Sequence, residues 1–193
     1  MRRICVNCGS NAGFRSSYWE AAQDLGQTLV VQNLELVYGG SDVGLMGVVA
    51  NTVLNASGRV IGVIPRSFAH RVSHQGLSEL RIVESMHERK QMMFDLSDGF
   101  IALPGGFGTL EEISEILTWA QLGFHQKPCG LLNISGFFDP LLTFLDHGVS
   151  EGFIRQEHRR MLLVSRDPHE LLEAFSSYVA PTVDKWIGFR EKL

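Results

Sequence analysis

The chain has no long hydrophobic run, no basic surplus and few cysteines. None of its apolar stretches approaches the ~18 residues of a membrane helix, so no membrane partner is expected. Lys and Arg number 17 against 21 Asp and Glu, a formal net charge of −4; a nucleic-acid partner would call for the opposite balance. Three cysteines, an odd count, fit a reducing compartment better than a disulfide framework. Cys5 and Cys8 have redox-pair spacing, but they lie along an apolar strand and its exit rather than at the start of a helix, which argues against redox chemistry. Met1-Arg2-Arg3 precedes an apolar stretch too short for a signal peptide, so a cytoplasmic location is expected. Seven histidines offer no metal set: His87-Glu88 opens like a zinc-protease helix, but Gln91 stands where its second histidine would fall. No metal and no other cofactor is expected.

What is present is strand-and-helix alternation in 193 residues, 45% of them hydrophobic, enough for one domain over residues 1–193 with a full core. Strands are predicted at Ile4 to Asn7, Leu34 to Tyr38, Arg59 to Pro65, Leu80 to Val83, Phe100 to Leu103, Cys129 to Ile134 and Met161 to Val164. Helices are predicted over about Ser16–Gln32, Gly44–Ala56, Met86–Ser97, Leu110–Leu122, Phe138–Val149 and Pro168–Val179. This alternation predicts an α/β, Rossmann-like, doubly wound parallel sheet with helices on both faces. Between Arg66 and Ser78 no periodicity is visible, and a polar loop carrying His70, Arg71, His74 and Gln75 is expected to cover or line a site.

One stretch organises the rest. The strand ending at Leu103 stops at Pro104, three glycines (Gly105, Gly106, Gly108) follow within four residues, and a helical pattern begins with Leu110, Ile113, Leu117 and Ala120. Glycines at a strand-to-helix corner let the backbone approach a ligand, and the free N–H groups and dipole of the first helical turn favour an anion. Phosphate is the natural occupant, although no lysine follows as in a Walker loop and the spacing does not fit the dinucleotide fingerprint. Thr109-Leu110-Glu111-Glu112 also has the form of a capping box, in which Thr109 and Glu112 satisfy each other's backbone N–H groups without catalysis. Arg89 and Lys90 fall near a predicted helix start, where cations oppose the dipole. Either an anion lies nearby or the two form a solvated surface pair.

Pro104 to Glu112 resembles the PGGxGTxxE signature of the LOG ("lonely guy") proteins, often labelled lysine decarboxylases. Met86-His87-Glu88-Arg89-Lys90 is similar to the family's MHxRK segment, Val37-Tyr38-Gly39-Gly40 with Gly44-Leu45-Met46-Gly47 to its VYGGGxxGLMG segment, and Cys8-Gly9-Ser10 to its CGS opening, in family order from roughly Arg3 to Ile134. The resemblance implies hydrolysis of the N-glycosidic bond of a nucleoside 5′-monophosphate, such as a cytokinin riboside monophosphate or AMP, to free base and ribose 5-phosphate. It implies Arg89 and Glu112 as catalytic residues. Ser10, Gly40, Gly44, Lys90, Gly105, Gly106, Phe107, Gly108, Thr109, Glu111 and Thr118 are implied as substrate-binding, and a homodimer is expected. Trp119, Leu122 and Phe124, more large apolar groups than one core face needs, agree with a dimer. Two departures stand out: Ser41 replaces a family glycine, and Arg71 stands where many members carry a pocket glutamate. Arg71, His74 and Met93 are expected around the base.

A decarboxylase would need a lysine Schiff base to pyridoxal phosphate with an acidic partner for the ring nitrogen. Only Lys90, Lys127, Lys185 and Lys192 are available, none in such a motif. The alternative from another class is a non-catalytic carrier of a nucleotide or of molybdenum cofactor on the same fold. Joint presence of Arg89 and Glu112, which a carrier does not require, favours the enzyme.

Overall fold

Strands buried on both faces persist only in a sheet covered on both sides, and five strands among the described residues are of that kind. The computed structural model describes residues 1–181, with only the backbone at Arg71 and Val72. Strands β1 (Arg3–Asn7), β2 (Glu35–Tyr38), β3 (Val60–Pro65), β5 (Gly99–Ala102) and β6 (Cys129–Leu132) are almost wholly buried. The outer strands β4 (Glu79–Val83) and β7 (Leu162–Ser165) alternate with exposed positions. All seven are parallel in one sheet ordered β4-β3-β2-β1-β5-β6-β7. Chain order runs outward from β1 to β4, then returns to the other side of β1 at β5. That reversal opens a crevice beyond the carboxyl ends of β1 and β5, where ligands bind in open α/β sheets.

Strand alternation assigns side chains to two cores. Ile4, Val6, Leu36, Tyr38 and Ile101 face helices α1 (Ser16–Val31), α2 (Gly44–Asn55) and α8 (Pro168–Ser176), meeting Leu25, Leu29, Val49 and Phe175. Cys5, Val37, Ile61, Val63 and Phe100 face α4 (Met86–Leu96) and α5 (Phe107–Gln121), meeting Met93, Ile113 and Ile116. Each fully buried Leu or Ile contributes roughly 1.5–3 kcal/mol relative to exposure. Asn7, on the parity of Cys5, carries its amide to the α4/α5 side, where the Cys5 thiol donates to Asn7 Oδ1 at 3.5 Å.

The α/β doubly wound expectation holds, with element ends within a few residues of those predicted. Three details differ. Residues Arg66–Val72, expected as loop, form a short helix α3 entered from Pro65; at barely two turns it is too short to display apolar periodicity. Cys129–Leu132 ends earlier than predicted and passes through a 3₁₀ turn, Ile134–Gly136, to α6 (Asp139–Ser150). A one-turn helix α7 (Gln156–Arg159) precedes β7. Among the described residues no helix is long and apolar enough to cross a membrane.

Candidate active site

Helix α5 begins at Phe107, two residues before Thr109, with Gly106 as its N-cap and no side-chain capping hydrogen bond. The capping-box alternative is therefore overturned. Gly106 is extended (φ −100°, ψ −151°) and the backbone enters the helix directly behind it, which leaves Thr109 inside the first turn and Glu112 one turn beyond. The first helical bond runs from Leu110 N–H to the Gly106 carbonyl at 3.1 Å. The N–H groups of Phe107, Gly108 and Thr109 thus stand at the open, electropositive end of the helix.

That helix end faces a cleft of about 500 Å³ at the carboxyl ends of β1, β2 and β3. One side is polar: Asn7, Ser10, Arg89, Thr109 and Glu112 with the Gly106–Gly108 backbone. The other is apolar, made by Val43, Met46, Ile64, Pro65, Phe68 and Met86. Arg89 Nη1 donates to Glu112 Oε1 at 2.5 Å and Arg89 Nε to the Val63 carbonyl at 3.2 Å. Their side chains keep only 11% and 14% of their surface exposed, so the surface-pair reading fails for Arg89. Gly39 makes room for it, since a Cβ there would collide with Arg89 Nη2. Glu112 Oε2 accepts no hydrogen bond from the described residues.

The remaining expected site residues divide. Ser10, Gly106, Phe107, Gly108 and Thr109 line the cleft. Gly105 sits behind the turn: a Cβ there would run into Thr109 Oγ1, with Thr109 Cβ at 2.8 Å and Gly9 N at 2.9 Å. Gly44 has φ +58°, and a Cβ would strike the Ser10 and Asn11 backbone, so it seats α2 against the turn after β1. Gly40 offers its carbonyl to His74 N–H at 2.9 Å. These three glycines shape the site without lining the cleft. Lys90, Glu111 and Thr118 are outside it. Lys90 Nζ pairs with Glu111 and with Glu115 at 3.0 Å; burial opposes its charge, but the two carboxylates win and raise its pKa. Thr118 Oγ1 donates to the Ser114 carbonyl at 2.7 Å, far down α5.

Two of the residues expected around the base are placed elsewhere. His74 is buried, with ring nitrogens against Asn51 Oδ1 at 3.1 Å and the Gln75 carbonyl at 2.7 Å, and Met93 is in the core. The Arg71 side chain lies outside the described residues. Ser41 does line the cleft, and its Oγ accepts from Val43 N–H at 3.4 Å. Sequence reasoning missed Asn7 and the apolar wall; a polar residue closing the apolar run Ile4-Cys5-Val6 was the available signal for Asn7. Cys5 and Cys8 are buried free thiols, and burial raises both pKa values, as expected of structural rather than reactive cysteines.

Residues 46–175 match the family model described as "Possible lysine decarboxylase". The chain is 51% identical over 179 residues, 92% of its length and 74% of the relative's, to the cytokinin riboside 5′-monophosphate phosphoribohydrolase LOG of Oryza sativa subsp. japonica. It belongs to the LOG family. LOG2 of Arabidopsis thaliana, also named a cytokinin riboside 5′-monophosphate phosphoribohydrolase, is 47% identical over 97% of this chain and 88% of its own. Among solved structures, the molybdenum cofactor binding protein of Rippkaea orientalis superposes with TM-score 0.70 at 24% identity, over 91% of this chain and 96% of that one. The carrier protein MCP of Chlamydomonas reinhardtii gives 0.68 at 21% over the same shares. At such identities the likeness speaks for the fold alone. The decarboxylase description does not fit this LOG protein's residues: among the described residues neither Lys90 nor Lys127 lines the cleft. Lys90 is engaged by Glu111 and Glu115, and Lys127 Nζ lies 3.9 Å from the Phe94 ring centre.

Proposed function

We propose that the protein hydrolyses the N-glycosidic bond of a nucleoside 5′-monophosphate, AMP or an N6-modified AMP of the cytokinin type, releasing free base and ribose 5-phosphate. The observation that carries this reading is the Arg89–Glu112 pair, set one turn along α5 from an open helix N-terminus in a single cleft. Phosphate binds the N–H groups of Gly106, Phe107 and Gly108 with the Thr109 hydroxyl, a preorganised anion site that needs few basic side chains. Ribose then lies against Glu112 and the base toward Met46, Ile64 and Phe68.

As the C1′–N bond breaks, its electron pair leaves with the base and positive charge builds on the ribose ring. Glu112, fixed by Arg89, stabilises that charge. Water adds to C1′ and gives up a proton, the base gains one, and ribose 5-phosphate is released. Names of relatives about half identical over most of the chain support the same activity. We further propose one domain, a cytoplasmic location consistent with three free buried cysteines, and a homodimer. Trp119 is partly used internally, edge-on to Phe94, but Leu122 and Phe124 remain 37% and 73% exposed; sedimentation should give twice the chain mass. Glu111, Lys90 and Thr118 could contact substrate only if a partner chain reaches them.

To test the activity, the protein and a Glu112→Gln variant are incubated with AMP and N6-isopentenyl AMP, and base and ribose 5-phosphate are followed by chromatography. Release by the wild type, lost in the variant, is expected. Tight AMP binding without release would make the protein a carrier.

A further inference from the structure

Asn7 is a polar residue in an apolar place. It is 4% exposed, follows the buried run Ile4-Cys5-Val6 at the end of β1, and faces the α4/α5 side beside Met93 and Phe100. An amide so buried is costly unless hydrogen-bonded, and a Leu of similar volume would serve the packing better. Its oxygen takes only a long contact from the Cys5 thiol, 3.5 Å. Its Nδ2 donates to no acceptor among the described residues and is not sealed from solvent, so this N–H pair opens on the two adjoining cavities that Asn7 lines. Glu112 borders the same two cavities as Asn7, and its Oε2 is likewise open. A donor and an acceptor are thus left facing the same floor.

What belongs between them follows from the layout of the ligand, and here the inference rests on the nucleotide reading proposed above. Thr109 and Glu112 are separated by three residues, about 4.5 Å along the helix axis, so the group reached after phosphate is the sugar. With Glu112 beside C1′, the adjoining hydroxyl is the 2′-hydroxyl, which both donates and accepts. The backbone fixes this register: Leu103 N–H donates to the Asn7 carbonyl at 2.9 Å and Gly9 N–H to the Pro104 carbonyl at 3.0 Å, locking Asn7 to the strand that enters the glycine turn.

We propose that Asn7 is a specificity-determining residue that selects ribose over 2-deoxyribose, its Nδ2–H donating to the 2′-hydroxyl while that hydroxyl donates to Glu112. A site built to hydrogen-bond a hydroxyl rejects the analogue lacking it, because its buried polar groups are then unpaired. The test is calorimetric binding of ribose 5-phosphate and 2-deoxyribose 5-phosphate to wild type, Asn7→Leu and Asn7→Ala, with thermal melts; the Ala variant decides if the Leu variant does not fold. The wild type should favour the ribose sugar by about tenfold or more. In the variants the preference should shrink to within about threefold, with affinity for the deoxy sugar nearly unchanged. A folded variant that keeps the wild-type preference, or weakens both sugars equally, overturns the proposal, as does a wild type that binds neither sugar or both alike. Hydrolysis of AMP by the wild type is scored separately. Ribose preference without hydrolysis sinks the enzyme reading and leaves Asn7 its role, whereas hydrolysis without the preference sinks only the role of Asn7.

Discussion

The neighbouring glycines Gly105 and Gly106 should respond oppositely to one added methyl group, and the contrast tests the phosphate site directly. At Gly105 a Cβ would lie 2.8 Å from Thr109 Cβ and 2.9 Å from Gly9 N, with Thr109 Oγ1 nearer still. Backbone cannot yield as a side-chain tip does, so Gly105→Ala should cost about 2 kcal/mol by overpacking. For a chain of this size that is roughly 4–8 °C of melting temperature. At Gly106 nothing lies within 4 Å of the added atom and φ is −100°, so Gly106→Ala should melt within about 2 °C of wild type, with a small gain from the stiffer unfolded chain. Its methyl group, however, would project at the open helix end where a phosphate oxygen is received. Loss of one charge-assisted hydrogen bond, about 1.5–3 kcal/mol, should weaken ribose 5-phosphate binding roughly tenfold to a hundredfold. Differential scanning calorimetry and titration calorimetry on the two variants suffice. Wild-type affinity in Gly106→Ala would remove phosphate from this turn, and an unchanged melting temperature in Gly105→Ala would refute the packing argument.

Four further outcomes are expected. Glu112→Gln should reduce turnover by about a thousandfold, the scale of losing a preorganised electrostatic partner. In a double-mutant cycle with Arg89→Met on thermal stability, a coupling of roughly 1–3 kcal/mol is expected, and additivity would show that the 2.5 Å contact is not energetically real. Glu35 is held below its ordinary 4.5: burial pushes its pKa up, but hydrogen bonds from Arg3 and Arg2 outweigh it. Such a group stabilises the fold above its unfolded value and loses that contribution as pH falls through the lowered one. Glu35→Gln should accordingly cost roughly 1 kcal/mol at neutral pH in urea titrations, the gap to wild type closing in acid; a gap that stays constant would count against the ion pairs. Finally, Cys5, Cys8 and Cys129 should resist a thiol reagent at pH 8 until the chain unfolds, since burial raises all three, Cys129 to about 12. Rapid labelling in the native state would show that the core opens readily.

Much of this molecule is local, and the sequence carries it. Apolar runs such as Val60–Pro65, short and rich in β-branched residues, read as strands buried on both faces, and the alternation of strands with amphipathic helices points to a parallel doubly wound sheet before any contact is known. The glycine turn and the anion-favouring helix end were legible because strand exits and helix starts are written in neighbouring residues, whereas Arg89 and Glu112 stood out only through the resemblance to the family's motifs. Other features depend on residues distant in the chain. Whether Glu112 capped its own helix or met Arg89, 23 positions earlier, could not be read from Thr109-x-x-Glu112, since both arrangements suit the same four residues. Only the exact entry into α5 and the packing of α4 beside it decided that. Lys90 adjoins Arg89 in sequence yet leaves the cleft for Glu111 and Glu115, because successive helical residues point about 100° apart. Asn7 was visible only as the end of a strand; its open amide acquires meaning when β1 is set between β2 and β5 and the crevice at that reversal comes to rest above it.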